Sequence, residues 1–596
     1  MSQFTSREKI STEYKWDLER MFAGDGEWEE ELEEVGGKMG RLEKYEGRLA
    51  ESPETLLAAL NLRSELFRRT DKLFAYARMR SDEDTRVQEH QAMTSQARGV
   101  HSKARSAASF IEPELQSLTR EELEEMAGLE EELAEYRHYF DDIMRLKPHT
   151  RSAEVEGLLA DLSEVLSAPG EIFNYLTNAD LDFPSVTDRD GEEVKITLSN
   201  FVKLLKRDDR DFRERVYSEF YDVFGGLSNT FAVTYSNSLK GDTKLAHAKN
   251  YESTLESSLD KDNIPIEVYE NLIGEVNNGL GLLHRHVELK KESLGIDELN
   301  MWDLYVPSAE SNGPEISYEE AKEYVLQAIS PLGEEYRARV EDGFSSRWVD
   351  VYENPGKRAG AYSWGTYDTQ PYVLLNFQND ISSLYTLAHE LGHSMHSVLT
   401  KDNQPYHYSD YSIFIAEVAS TCHEALLTEY LLDNVQDRSF RRHVLDNFLE
   451  GFRATFFRQA LFSEFEHEAH GVVESGEGVT AQRLNELFGS LKEKYYEPAE
   501  IDERIRREWM RIPHFYRPYY VYQYSTGITV ALAMAKRIIE GGKEAAEQYK
   551  TVLNGGSSDY PMNLLRDGGV DLTKPKPIRE ALSLYGQYLD EMSELI

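Results

Sequence analysis

The chain has one cysteine, Cys422, in 596 residues. A single thiol excludes an internal disulfide and is typical of proteins from a reducing compartment. Long apolar segments are also absent, since the longest run near the C-terminal region, residues 528–535, is too short to span a bilayer. The first residues lack the apolar core of a secretory signal. These absences predict a cytoplasmic protein with no membrane partner.

Basic residues are far outnumbered by acidic ones, with 66 Lys and Arg against 108 Asp and Glu, for a formal net charge of −42. No basic patch stands out, which disfavours nucleic-acid and anionic-membrane binding. The cations are mostly arginine. Such an acidic surface is typical of proteins that work in concentrated salt, where a Debye length of about 3 Å at 1 M screens the self-repulsion. We therefore expect a halophilic source; the alternative is an acidic enzyme from a mesophile.

Flexible linkers, low-complexity tracts and fixed-period repeats are missing too. Charged amphipathic patterns predict an N-terminal helical region over residues 1–115 and a second helical domain over 116–205. Within the second domain, an Asp190-Gly191 turn between two short strand patterns predicts a hairpin. The remaining domain, 206–596, carries the motifs that indicate chemistry. The expected fold is mainly α with a small β-sheet.

The sequence His389-Glu390-Leu391-Gly392-His393 lies within an apolar stretch. Two histidines four residues apart share one helical face, about 6 Å apart at Cβ, so both imidazoles can reach one ion. Glu390 lies roughly 100° further round the helix, where it can reach a water held by that ion. Neutral imidazoles suit zinc, and three protein ligands leave a fourth position open. The motif predicts a zinc hydrolase with a glutamate base.

Glu417 is the predicted third ligand, because it lies in an otherwise apolar helical run 24 residues after His393. Glu424 follows two turns later and is interpreted either as a partner of a ligand histidine or as part of a helix-face salt bridge. A three-histidine site is excluded, because that pattern needs Gly and His where the chain has His396 and Leu399. His396 is therefore expected to be a packed or supporting histidine.

Longer stretches around these motifs resemble the thimet-oligopeptidase superfamily of zinc peptidases, and within it the oligoendopeptidase F branch. The resemblance is carried by the sequence around the two histidines and by Phe414-Ile-Ala-Glu-Val-Ala-Ser. It extends in order along nearly the whole chain, through segments that begin at Tyr14, Arg151, Gly360, Pro371, His514 and Gly555.

The resemblance implies two helical lobes around a deep substrate channel, with a zincin-like catalytic core. It also implies cleavage of internal peptide bonds in short oligopeptides by a metalloendopeptidase that holds one Zn²⁺ per chain. The implied ligands are His389, His393 and Glu417, and Glu390 is implied to activate the water.

By the same resemblance, His514 and a following tyrosine stabilise the reacting carbonyl oxygen. Neutral donors aimed at that oxygen in a dry cleft are worth several kcal/mol. Tyr519, five residues after His514, matches the family spacing best, while Tyr522 and Tyr524 stay open as alternatives. The alternative interpretation is that the aromatic side chains of this segment form a packed cluster without a catalytic role.

The segment 360–377 ends in a short strand pattern directly before the zinc motif. An extended peptide can add itself as a strand beside a free sheet edge, using main-chain hydrogen bonds. We expect 371–377 to be such an edge strand, with a plain core strand as the alternative.

Three other classes of function have weaker support in the sequence. A peptide-binding protein without catalysis would not need Glu390, and a zinc-stabilised scaffold would need a fourth ligand, for which His396 is the one candidate. The neighbours Cys422 and His423 suggest a thiol-protease dyad, but a small packing residue fits that helical position better. Oligopeptides are the expected partners, and nothing in the sequence indicates an oligomeric state.

Overall fold

The structure is a computed structural model that describes residues 4–309 and 313–596. The fold is mainly α, as the helical patterns predict, with short strands between the helices. The helices of the described residues are α1 (Asp25–Gly36), α2 (Met39–Leu42), α3 (Pro53–Glu83), α4 (Gln88–Ala108), α5 (Ile111–Ser117), α6 (Arg120–Leu129), α7 (Arg137–Leu146), α8 (Ala153–Tyr175), α9 (Phe201–Leu205), α10 (Arg210–Gly226), α11 (Ser228–Ala248), α12 (Thr254–Leu259), α13 (Ile266–Asn278), α14 (Leu280–Leu294), α15 (Tyr318–Ala328), α16 (Glu334–Ser345), α17 (Ile381–Asn403), α18 (Ile413–Asn434), α19 (Arg438–Phe452), α20 (Arg458–Glu474), α21 (Ala481–Tyr495), α22 (Tyr522–Asn554, broken at Gly542), α23 (Pro561–Asp567) and α24 (Lys576–Leu595).

The strands form three small sheets. They are β1 (Ser185–Thr187), β2 (Glu193–Lys195), β3 (Leu299–Asn300), β4 (Val349–Asp350), β5 (Tyr362–Trp364), β6 (Tyr372–Leu374) and β7 (Ala499–Glu500). Strands β1 and β2 are antiparallel, which confirms the predicted hairpin, and Gly191 takes the positive φ of its turn. Strands β3 and β7 pair in parallel. The third sheet has the order β4-β6-β5, with β4 parallel and β5 antiparallel to β6.

The chain forms two compact units, each assembled from separate segments. The first unit contains Met1–Pro148, Pro314–Leu431 and Met534–Gly569, and the second contains His149–Gly313, Leu432–Ala533 and Val570–Ile596. The zinc motif and the third sheet therefore lie in the first unit, and the aromatic segment after His514 lies in the second. The boundaries 1–115, 116–205 and 206–596 stay a prediction.

The core of the first unit is built mainly by α3, α4 and the shorter helices that follow them. Ser52 caps α3 by accepting a hydrogen bond from the Thr55 amide, and Pro53 occupies its first turn. Tyr372 and Leu374 of β6 are fully buried in this core, so the third sheet packs directly against it.

Within residues 4–309 and 313–596, no helix combines the length and the apolar character needed to cross a bilayer.

Candidate metal centre and active site

Helix α17 carries the zinc motif and begins at a strong local signal. Asp380 caps the helix by accepting a hydrogen bond of 2.8 Å from the Ser383 amide. Leu384, Leu387 and Leu391 recur at helical spacing and are completely buried. His389 and His393 lie at the border of this buried face, with side chains 27% and 20% exposed. The motif histidines are thus held by a packed helix yet keep one accessible side.

Gly392, between the two histidines, permits α18 to approach α17 closely. A Cβ atom at this position would lie 2.6 Å from the Ala419 carbonyl oxygen and 2.6 Å from the Ser420 Cα. Both are main-chain atoms that cannot move without shifting α18. Since α18 also carries Glu417, the glycine determines how near the third predicted ligand can come to the histidines.

We expect Gly392→Ala to destabilise the protein by about 1–3 kcal/mol, the usual cost of overpacking a tight contact. Its metal affinity should fall as well, because relief of the clash moves Glu417. Gly99→Ala is the matched control: Gly99 lies in α4 of the same unit with open space around it. That variant should be stabilised by up to about 1 kcal/mol, since alanine is the better helix former. Denaturant unfolding of both variants, with metal titration, checks the pair; equal stabilities would contradict the close-packing account.

The three predicted ligand atoms lie close together. The Nε2 atoms of His389 and His393 lie 3.2 Å apart. Oε2 of Glu417 lies 3.5 Å from the first and 3.6 Å from the second. Among the described residues this is the group of histidine, cysteine and acidic side chains with the geometry to hold a metal ion. The structure therefore brings together the three residues that the sequence proposes as ligands.

Hydrogen bonds behind the cluster orient its members. Glu424 accepts a bond of 2.5 Å from Nδ1 of His389, which leaves Nε2 facing the cluster. Burial alone would lower the pKa of His389, but the hydrogen bond and charge of Glu424 raise it to about 9. Ser420 donates to Oε2 of Glu417 at 2.9 Å. Ser420 is not among the residues singled out from the sequence, although its spacing of three residues from Glu417 on a helix is a usable signal.

His393 is held in its neutral form. Burial and the adjacent His389 lower its pKa to about 4, so its imidazole is uncharged at neutral pH. A neutral imidazole is the form that binds a metal.

Glu390 lies on the buried side of α17 and is 7% exposed. Its Oε2 atom has no hydrogen-bond partner in the structure. Burial, opposed by the charge of His389, raises its pKa to about 7. A carboxyl group that titrates near neutral pH can both accept and return a proton, which suits a general base.

Two residues near the cluster do not belong to it. His396 is fully buried and stacks on Tyr411, with ring centroids 3.6 Å apart, so it is a packing residue. Burial raises the pKa of the Cys422 thiol to about 12. The adjacent His423 contacts the Tyr336 hydroxyl and the Ala388 carbonyl instead of the thiol. A thiol that stays protonated at neutral pH is a poor nucleophile, which excludes the dyad.

The expectation that residues 371–377 form an edge strand is wrong, and the alternative of a core strand is confirmed. Strand β6, which contains Tyr372 and Leu374, is completely buried between β4 and β5. Strands β4 and β5 form the two edges of this sheet: both residues of β4 are buried, whereas the three residues of β5 are half-buried. The apolar pattern of 371–377 was thus the signature of a central strand.

The aromatic segment of the second unit divides into an accessible and a buried part. The His514 ring stacks on Tyr520 at 5.8 Å and meets the edge of Tyr524 at 6.0 Å; all three are half-buried. Tyr519 is 3% exposed, and its hydroxyl lies 3.1 Å from Nδ1 of His467. Tyr522 is also 3% exposed.

The backbone at Tyr519 explains why the segment turns inward at this residue. Its φ of 52° lies in the left-handed region that residues other than glycine rarely adopt. The Tyr519 amide donates a 2.7 Å hydrogen bond to Oε1 of the buried Glu466, which holds this conformation.

A helical fold with two histidines and a glutamate converging beside a buried second glutamate defines a metallohydrolase. Comparison with known proteins then shows the family. Residues 203–584 match the model of peptidase family M3, and residues 114–183 match the model described as Oligopeptidase F. The chain belongs to peptidase family M3 and is a metalloendopeptidase.

Full-length relatives agree with this assignment. The chain is 43% identical to Oligopeptidase PepF of Bacillus subtilis over 596 residues, which covers 100% of this chain and 89% of that protein. It is 40% identical to Group B oligopeptidase PepB of Streptococcus agalactiae, covering 99% and 98% of the two chains. The crystal structure of oligoendopeptidase-F from Enterococcus faecium superposes with a TM-score of 0.75 at 37% identity, covering 96% and 99%.

Proposed function

We propose that this protein is a zinc-dependent endopeptidase that hydrolyses internal bonds of short oligopeptides. The observation that carries the proposal is the convergence of His389, His393 and Glu417 beside the buried Glu390. The names of the relatives, oligopeptidase and oligoendopeptidase, support the choice of oligopeptides as substrates.

The donor set fits zinc in both chemistry and spacing. Ligand atoms bound tetrahedrally at about 2.0–2.2 Å from a zinc ion lie about 3.3–3.6 Å from one another. Two separations in the cluster, 3.5 and 3.6 Å, lie in that range, and the third, 3.2 Å, is just below it. His393 is already neutral, and His389, whose pKa is about 9, would release its Nε2 proton when the metal binds. The two imidazoles and one carboxylate would then hold one zinc per chain and leave one position open.

Zinc bound there would lower the pKa of a water and polarise the scissile carbonyl group. Glu390 takes the proton from the attacking water, and its pKa of about 7 lets it return that proton to the leaving amine. Strand β5 would receive the peptide as an added strand, because its outer edge offers main-chain hydrogen bonds. Main-chain binding of this kind accepts varied side chains.

Cleavage of an internally quenched oligopeptide tests this function directly. Activity should disappear after treatment with a zinc chelator and return when zinc is added back. Cleavage that ignores the chelator would refute the zinc mechanism. A varied peptide panel that is bound but never cleaved, with zinc present, would favour the peptide-binding alternative.

We also propose that the enzyme works in the cytoplasm of a salt-adapted organism. The single cysteine and the net charge of −42 support this proposal. Activity and melting temperature should both rise from dilute buffer to concentrated potassium chloride. A protein that is most stable in dilute buffer would point to a mesophilic source.

We assign stabilisation of the reacting carbonyl oxygen to His514 and one tyrosine, with Tyr519, Tyr522 and Tyr524 as the candidates. The family resemblance supports Tyr519, the choice made from sequence. The contacts within the second unit favour Tyr524, because its ring meets His514 and keeps exposed surface, whereas the Tyr519 hydroxyl is buried against His467.

Paired phenylalanine variants separate these tyrosines. We expect Tyr524→Phe to lower kcat by roughly 10²-fold, the effect of removing one donor to a developing oxyanion. Tyr519→Phe should mainly lower the melting temperature, since it removes a buried hydrogen bond. Both variants should keep their zinc content. The reverse order of kcat losses would return the role to Tyr519, and two unchanged rates would leave Tyr522 as the candidate.

A further inference from the structure

Two serine hydroxyls join the edge strand to the helix that carries the base. Ser363 is the central residue of β5, and its Oγ lies 2.8 Å from Oγ of Ser394 on α17. Ser394 is completely buried and also donates to the main-chain oxygen of Glu390 at 2.9 Å. The contacts therefore run from the sheet edge to the residue that holds the catalytic carboxyl.

The directions of these hydrogen bonds follow from the number of protons available. The Ser394 hydroxyl has one proton, and it is used toward the Glu390 carbonyl. Ser394 must then accept from Ser363, whose own proton completes the chain. The Ser394 hydroxyl thus has two partners, whereas the Ser363 hydroxyl has Ser394 as its side-chain partner. Loss of either hydroxyl therefore breaks the hydrogen bond between β5 and α17.

The alternation of side chains along β5 explains why only Ser363 can make this contact. Tyr362 and Trp364 point to the opposite face and pack against the first unit's core, where they meet Trp16 and Phe74. The strand is therefore fixed on one face by aromatic packing. On the other face, the serine pair fixes it to one turn of α17.

We infer that Ser363 and Ser394 are positioning residues that set the distance between a peptide on β5 and the carboxyl group of Glu390. The inference rests on the proposed function. The position of β5 sets the distance between a peptide added to this strand and the metal centre. The position of α17 sets where the carboxyl group of Glu390 lies. Misplacement of a reacting group by about 1 Å can cost as much as 10²-fold in rate. A direct link between the two elements therefore acts on turnover more than on binding.

A merely structural role is the rival explanation, and variants of equal shape distinguish the two. Threonine and valine at position 363 have the same branched shape and both suit a strand, but only threonine keeps the hydroxyl. We expect Ser363→Val to have a kcat at least about tenfold below that of Ser363→Thr, with KM values within about threefold of each other. Zinc content and melting temperature should match between the two variants.

Ser394→Ala and the double variant complete the test. Ser394→Ala should lower kcat about as much as Ser363→Val, and combining them should add little, because both remove the same link. Ser397→Ala is the matched control: Ser397 lies one turn further along α17 and contacts the Tyr411 hydroxyl at 3.0 Å, away from β5. That variant should keep its kcat.

Each outcome decides one question. If the unsubstituted chain shows no zinc-restored cleavage, the proposed function fails, and this inference fails with it. If that chain is active but Ser363→Val matches Ser363→Thr in kcat, the positioning role alone is overturned. Fully additive losses in the double variant, or a shift in KM without a change in kcat, would also overturn it.

Discussion

Glu390→Gln should bind zinc as the unsubstituted chain does and lose roughly 10³-fold of its kcat, within the range that general-base catalysis contributes. The amide has almost the same shape as the carboxylate but cannot accept a proton. Because Glu390 is not one of the three converging ligands, its substitution leaves the cluster intact. Zinc content by metal analysis and kcat on a quenched peptide check both parts.

Asp402→Asn is the matched control for this variant. It makes the same kind of change on the same helix, but its side chain is 47% exposed and pairs with Arg339. Loss of one surface ion pair is worth at most about 1 kcal/mol, so activity should stay near that of the unsubstituted chain. Full turnover by Glu390→Gln would exclude Glu390 as the base, and loss of zinc would mean that it supports the metal instead.

Glu417→Gln should lose most of its zinc, because a neutral amide replaces the one charged ligand. The affinity loss should exceed the roughly 10–100-fold that follows removal of an outer partner. Activity should then require added zinc far above the concentration that restores the unsubstituted chain. Titration of zinc into the chelator-treated protein measures this directly.

Glu424→Gln should show a smaller loss of zinc affinity in the same titration, because Glu424 contacts a ligand without facing the cluster. It orients His389 through Nδ1, so its loss should weaken zinc binding by about 10–100-fold and allow activity to return at higher zinc. Glu424→Gln losing more zinc than Glu417→Gln would reverse the roles of ligand and supporting partner.

Local sequence was enough to predict the part of the site that one helix carries. His389 and His393 share a face because helical geometry places residues four apart together, and Asp380 marks the start of that helix. Glu417 could also be predicted from the sequence, since a carboxylate in an apolar run needs a partner. The acidic composition and the single cysteine are properties of the sequence alone.

Contacts between elements decided the rest. The pattern of 371–377 could not show whether a strand lies at the edge or the centre of a sheet, because that depends on β4 and β5 pairing around it. Similarly, family spacing selects Tyr519, but only the structure shows that the backbone turn held by Glu466 buries its side chain. The choice among the three tyrosines stays a prediction.

The sequence by itself thus determined which residues are proposed for the centre: the two histidines and Glu417 as ligands, and Glu390 as the base. Helical spacing acts over a few residues and can be counted along the chain. Tertiary structure decided whether these groups meet, through the close approach at Gly392 and the hydrogen bonds of Glu424 and Ser420. It also decided that Ser363 contacts Ser394. Such contacts join residues far apart in the chain, and their distances depend on packing that no local pattern records.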